Sequence, residues 1–325
     1  MHTDPVIDSQ PPAAALTWAA EVAGPEASAR TVRRLLGGTH AATHLLETVD
    51  PAHEMILHRY PPGDRAAARA AVVLAALDGL GGWAPRLLGA DPEGERFGEP
   101  ATLITRLPGR SDITPASPEV AAVQLGRTLA RLHEVPLHEL TGLRDGMATI
   151  KDAASAHAAA SSDPGTGTAP APAPAPAPAS AILASHGHRL TEEAPVLTHY
   201  DYWSGNVLWQ GDRLTGVIDW SGASLAPRGF DVSWCRLDLV LLHGPAAAET
   251  FLAAYEEAAG QDLPAMVLWD LFALTNSLHS VETWYPNYQD LGRTDLTPAE
   301  LRTRHTAWTD DRLAHYRALP SSGRI

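Results

Sequence analysis

One stretch constrains this chain more than any other: LTHYDYWSGNVLW at 197–209, followed by GVIDW at 216–220. Val196 and Leu197, Val207 to Trp209, and Val217 with Ile218 read as short strands, and GDR between the last two pairs reads as a tight turn. Such a hairpin holds Asn206 and Asp219 close together. His199 and Asp201 precede it, with Asn206 five residues after Asp201 and Asp219 thirteen after Asn206. A carboxylate and an amide oxygen are hard ligands suited to Mg²⁺. Asp201 can accept a hydrogen bond from a substrate hydroxyl and take its proton, and His199 can brace the loop. These are the groups phosphoryl transfer asks for, since that reaction needs charge neutralisation and orientation more than covalent help. The competing reading is a hairpin with chance polar residues.

Around this segment the chain changes character. Ala13 to Ala23 reads as a helix, and VRRLLGG, HLLETVD and HEMILHRY as three strands, the last closed by Pro61, Pro62 and Gly63. Arg65 to Leu77 is an alanine-rich helix, while 84–88 and 101–106 are strand-like. Beyond Leu107 helices dominate, starting with Ser117 as N-cap, Pro118 at the first helical position, and Leu125, Leu129 and Leu132 at helical spacing. The stretch ASAHAAASSDPGTGTAPAPAPAPAPAS can form neither helix nor ladder, so 153–181 reads as a disordered insertion. It interrupts one domain rather than separating two.

The H-x-D-x-x-x-x-N…D arrangement resembles the catalytic and metal-binding loops of the kinase superfamily. Ile218-Asp219-Trp220 stands where protein kinases carry Asp-Phe-Gly. Together with LGRTLARLH at 125–133 and GFDVSWCRLDL at 229–239, it makes the sequence similar to the aminoglycoside phosphotransferase family, which includes choline-kinase-like and macrolide-kinase-like enzymes. The resemblance runs from about Arg33 to Arg317. It implies an α+β, bilobal, protein-kinase-like fold, with a β-rich nucleotide-binding lobe over 1–106 and a helical lobe over 107–325. It makes Asp201 the catalytic base and Asn206 and Asp219 the metal ligands, with ATP and Mg²⁺ as cofactors. His199 and Asp231 would support the catalytic loop, Asp231 by bonding its backbone.

The N-terminal lobe departs from that pattern. Gly37, Gly38 and Thr39 occupy the place of the family's nucleotide loop, where glycines let backbone N–H groups approach phosphates. The family's third-strand cation aligns with His58, next to Arg59, and strand alternation sends these two to opposite faces. Arg59 is the favoured phosphate partner, because a permanent bidentate charge suits phosphate better. The following helix, RAAARAAVVLAAL, lacks the Glu that should orient it. Thr105 to Leu107 are expected to hydrogen-bond adenine from the lobe hinge.

The net charge of 24 − 38 = −14 disfavours nucleic acid and anionic membranes as partners, and no apolar run approaches a membrane span. One cysteine, Cys235, and no signal-peptide pattern fit a cytoplasmic protein. Nine acidic residues against Arg236 alone between Asp231 and Asp290 point to a cationic small-molecule hydroxyl acceptor, with an aminoglycoside-like compound leading. Asp238, Glu282 and Trp284 are the pocket candidates. A metabolite kinase of the choline or homoserine kind, or a nucleotide-binding pseudokinase suggested by the missing Lys and Glu, are the alternatives. The absent Gly-x-Gly-x-x-Gly loop and Ala-Pro-Glu segment argue against a protein kinase.

Overall fold

The structure, a computed structural model, describes residues 10–35, 41–153 and 178–320. Gly37, Gly38, Thr39 and most of the Ala-Pro stretch lie outside them. In chain order the first elements are α1 (Ala13–Ala23), β1 (Ser28–Leu35), β2 (Ala42–Val49), β3 (His53–Arg59), α2 (Ala66–Leu77), β4 (Leu87–Asp91), β5 (Ala101–Thr105) and α3 (Pro118–His133). Then come β6 (Arg144–Asp145), α4 (146–153), α5 (Pro178–His186), β7 (Val196–Thr198), β8 (Val207–Gln210), β9 (Arg213–Val217) and β10 (Ser224–Ala226). The chain closes with α6 (Gly229–His243), α7 (Pro245–Ala259), α8 (Met266–Ser277), α9 (Tyr285–Asp290) and α10 (Pro298–Ala318). This is the α+β class expected, strand-rich first and helical afterwards.

Contacts divide the chain into two units. The first takes the residues up to Ser111, His138–Leu143 and Asn206–Gly222. Its main sheet is antiparallel in the order β1-β2-β3-β5-β4. The apolar run of β3 is buried on both faces, which period-two alternation allows. Met55 and Leu57 pack with Leu46, Leu103 and the α1 residues Ala15, Trp18 and Ala19. Ile56 turns the other way, onto Leu45, Ile104 and Leu74 of α2. The β8–β9 hairpin belongs to this unit too, although it comes late in the sequence. Trp209 and Arg110 exchange backbone hydrogen bonds of 2.8 and 3.0 Å, and Val217 N–H donates to Trp83 O at 2.8 Å. Gly109, at φ +106°, makes that approach possible, since a Cβ there would lie 2.7 Å from Trp209 O.

The second unit comprises Asp112–Leu137, Arg144–Gly205 and the described residues from Ala223 onward. Ser117 caps α3 by accepting from Val120 N–H, and Leu125, Leu129 and Leu132 are buried along it. The three-stranded sheet β6-β10-β7 carries the chain toward the candidate site. Helix α6 is buried on nearly every side, which is why VSWCRLDLVLL reads as apolar with embedded charges. Its Arg236 is fully buried: Nε and Nη2 donate to the two Asp270 oxygens at 3.0 and 3.1 Å, and Nη1 to Ala248 O. Arg312 and Glu249 complete this group, and Trp308 lies beneath both guanidiniums.

Two boundaries differ from expectation. The strand placed at 84–88 is instead Leu87–Asp91, because Pro85 has no N–H to give and Arg86 N–H donates to the Thr105 hydroxyl. Ala153 and Pro178 to Ala181, assigned to the insertion, are helical; the last proline of the tract takes the first position of α5, where its missing N–H costs nothing.

Candidate active site

Strand β7, with Leu197 opposite Leu225 of β10, delivers the chain into the 199–204 loop. The two oxygens of fully buried Asp231 on α6 receive its first backbone amides, His199 N–H at 2.6 Å and Tyr200 N–H at 2.8 Å. His133, the last residue of α3, sits 3.4 Å from Asp231 through Nε2 and 2.8 Å from the Tyr255 hydroxyl through Nδ1. A carboxylate only accepts, so Nε2 carries a proton toward Asp231, and Nδ1 shares a hydrogen bond with the Tyr255 hydroxyl. Buried His199 accepts from Asp201 N–H through Nδ1 at 3.3 Å.

Tyr200 adopts φ +73°, a left-handed conformation that bulky residues seldom take and that costs of order 1–3 kcal/mol. Its ring is held by stacking on Phe230 at 4.0 Å and by the Arg144 guanidinium at 4.3 Å. The turn leaves Asp201 exposed. Tyr202 then runs inward, its hydroxyl donating to Leu125 O at 3.0 Å. Ser204 reaches Asp238, and Gly205 admits the Trp203 ring so closely that a Cβ would lie 2.2 Å from it.

From Asn206 the chain belongs to the first unit. Asn206 O accepts from Ile218 N–H at 2.8 Å and Val207 faces Val217, so Asn206 and Asp219 share the open end of the β8–β9 hairpin. Asn206 is buried; Asp219 is exposed at φ +61° and accepts from the Ser221 hydroxyl at 3.0 Å. These oxygen donors fit a hard divalent cation. Among the described residues no cluster of three or more His, Cys, Asp or Glu could hold a metal.

The third strand is oriented the other way from the reading that favoured Arg59. Arg59 shares the α1 face with Leu57 and is completely buried, its guanidinium 2.8 Å from Glu99. His58 takes the α2 face with Ile56. Burial lowers its pKa, and the Asp219 carboxylate pulls it back up, so His58 is the β3 residue that feels the hairpin's acidic end. Tyr60, next on that face, is pushed up to about 12, mainly by burial. Thr105 is engaged as well: its N–H donates to Arg86 O at 3.0 Å and its hydroxyl accepts from Arg86 N–H, so its amide is not available to adenine. Leu107 packs where a Gly216 Cβ would be.

The acceptor candidates are also largely occupied. Asp238 is buried and accepts from the Tyr288 hydroxyl at 3.0 Å and the Ser204 hydroxyl at 3.1 Å; burial pushes its carboxyl up to about 6. Glu282 forms a two-pronged pair with Arg302, and half-buried Trp284 lies 6.1 Å from Trp234. Glu249 and Asp270 are held by Arg236, Glu257 by Arg127, and Glu256 by Leu263 N–H. Four of the nine acidic residues counted along the sequence, Glu249, Glu257, Asp270 and Glu282, are thus paired with arginines, and the argument their number gave for a cationic acceptor weakens accordingly. His133, Tyr255 and Tyr288 were not singled out from sequence. His133 closes LGRTLARLH, a usable signal; Tyr288 carries none.

A model of a phosphotransferase enzyme family matches residues 31–269. None of the curated proteins compared with the chain matches it. Solved structures do. The macrolide 2'-phosphotransferase MphH of Brachybacterium faecium is 19% identical, with 91% of this chain and 97% of that one covered at a TM-score of 0.56. A thermostable mutant of aminoglycoside phosphotransferase APH(4)-Ia, in ternary complex with ADP and hygromycin B, is 17% identical, with 87% and 94% covered and a TM-score of 0.53. An ethanolamine kinase of Plasmodium vivax is 12% identical, with 88% and 81% covered and a TM-score of 0.51. Identities this low speak to the fold, which these kinases and the present chain have in common. The family model spans well over half of the sequence, including the 199–219 segment, and the chain thus belongs to the phosphotransferase enzyme family.

Proposed function

We propose that this protein transfers the γ-phosphoryl group of Mg²⁺-ATP to a hydroxyl of a small molecule. The observation that carries the reading is the 199–204 loop, whose backbone is bonded to buried Asp231 while Asp201 stays exposed. In this reading Asp201 orients the acceptor hydroxyl and takes its proton, and His199 and Asp231 keep the loop in shape. Asn206 and Asp219 would hold the Mg²⁺, whose chemistry is to neutralise phosphate charge. Solved relatives in fold include complexes with ADP and GDP, which supports a nucleotide as donor.

An aminoglycoside-like antibiotic is the first acceptor class to test. A less charged hydroxyl metabolite is the second, favoured by the pairing of Asp238 and Glu282 within the protein. The test is ADP release on a panel of hydroxyl compounds spanning aminoglycosides, macrolides, amino alcohols and neutral sugars. Stimulation by at least one compound is expected; Mg²⁺-ATP binding without turnover on any of them would favour the pseudokinase.

The third strand gives a second test. His58→Ala is expected to raise the KM for ATP roughly tenfold, the worth of one charge-assisted hydrogen bond, since bound phosphate favours the protonated imidazole. Arg59→Ala should instead cost about 1–3 kcal/mol of stability in urea denaturation by leaving Glu99 without its partner. A large KM effect from Arg59 with none from His58 would reverse the assignment.

A further inference from the structure

Asp238 belongs to the same helix as Asp231, seven residues on, two turns along one face of α6. The two carboxylates take hold of the loop on either side of Asp201. Asp231 accepts from the amides of residues 199 and 200. Asp238 Oδ2 accepts from the Ser204 hydroxyl at 3.1 Å and the Ser204 N–H at 3.4 Å, and its Oδ1 accepts from Tyr288 of α9 at 3.0 Å. Three loop residues, 201 to 203, thus span the gap between two points fixed on one buried helix.

We infer that Asp238 is a positioning residue that, with Asp231, clamps the loop at both ends and so fixes where Asp201 points. This rests on the transfer reading only for its effect on turnover; the clamp itself is a statement about the loop. Three features support it. Asp238 is buried and, among the described residues, is held by hydrogen bonds rather than by a cation. A buried carboxylate held that way is costly unless the groups it accepts from need it. The loop also carries a strained Tyr200 and a Gly205 crowded by the Trp203 ring. A segment bent at both places returns to other conformations unless its ends are pinned. Finally, the Trp203 ring meets Tyr288 at 5.8 Å, so the residue that donates to Asp238 Oδ1 also backs the loop's side chains.

The consequence is specific. Asp238→Asn keeps the shape but replaces the carboxylate by one acceptor oxygen and one NH₂, so the charge-assisted bonds weaken and one side, the Ser204 pair or the Tyr288 hydroxyl, must turn to accept or lose its bond. The experiment combines amide hydrogen exchange on peptides spanning 197–206 with acceptor-independent hydrolysis of Mg²⁺-ATP, in wild type, Asp238→Asn, Ser204→Ala and the double variant. Exchange in 201–206 should quicken roughly tenfold in Asp238→Asn. Hydrolysis kcat should fall about 10²-fold, as for a modest misplacement of a reacting group, with the KM for ATP little changed. The double variant should be no worse than Asp238→Asn alone, because both act through one contact. Tyr288→Phe, which removes a single hydroxyl, carries the same test if Asp238→Asn does not fold. Unchanged exchange across 201–206 in the folded variants overturns the clamp, as does a drop in melting temperature with kcat unaltered. Faster exchange in a protein whose wild type neither binds nor hydrolyses Mg²⁺-ATP would keep the clamp and sink the transfer reading.

Discussion

Replacing Asp201 by alanine is expected to lower turnover about 10²–10⁴-fold while leaving Mg²⁺-ATP binding in place. The side chain is exposed at the tip of a loop shaped by backbone bonds to Asp231, so its removal should not disturb the fold. Asp219→Ala should fail in another way. That residue sits at the open end of the hairpin with Asn206, and under the proposed function its loss removes one of the two hard oxygen donors for the cation. Nucleotide affinity should then become weak and nearly independent of Mg²⁺, in addition to lost turnover. Calorimetric titration of Mg²⁺-ATP into both variants, beside steady-state kinetics on the best acceptor, separates the two. Full activity in either variant would refute its assigned role.

The largest stability effect should come from a residue outside the 199–219 segment. Asp270→Ala leaves fully buried Arg236 with half-exposed Glu249 as its one remaining carboxylate partner among the described residues. Removing one partner of a buried pair typically costs about 3–5 kcal/mol, because the remaining ion keeps its desolvation penalty. Asp270→Asn retains one acceptor and should lose less. Substituting both members, Arg236→Met with Asp270→Leu, should recover most of the loss, since the apolar pair has no charge to strand. Equilibrium urea denaturation followed by tryptophan fluorescence reads this directly, with Trp308 and Trp269 both buried in that unit. A cost below about 1 kcal/mol for Asp270→Ala would show that the pair is solvated in practice.

The parts legible in the sequence are those whose chemistry is local. The loop and hairpin that carry Asp201, Asn206 and Asp219, within nineteen positions, are defined almost alone by turn residues and apolar runs, and the structure has both. Helix α3 announces itself through Ser117 and Pro118, and α1 through composition. The rest depends on partners that sequence distance hides. The β3 strand is buried on both faces, so alternation says that His58 and Arg59 part company but not which one meets Asp219. Arg59 is decided by Glu99, forty residues away. The acidic count between Asp231 and Asp290 overstated the free charge for a related reason: Arg127, Arg302 and Arg312 lie outside that window and pair, in turn, with Glu257, with Glu282, and with Glu249 and Asp270. Asp238 read as a pocket carboxylate because nothing nearby in sequence marks Tyr288 or Ser204 as its partners.

The late hairpin has a consequence for how the protein is made. The unit that opens the chain needs β8 and β9 to satisfy Trp83 O and both backbone groups of Arg110. On the ribosome, elongating at roughly 5–20 residues per second, that unit therefore waits unfinished until Gly222 has emerged, by which time more than a third of its neighbour has been synthesised. The two units cannot mature one after the other as beads on a string; their folding is interleaved. A fragment ending at Ser111 would expose an open edge where the hairpin should dock, and would be a less stable unit than its share of the sheet suggests.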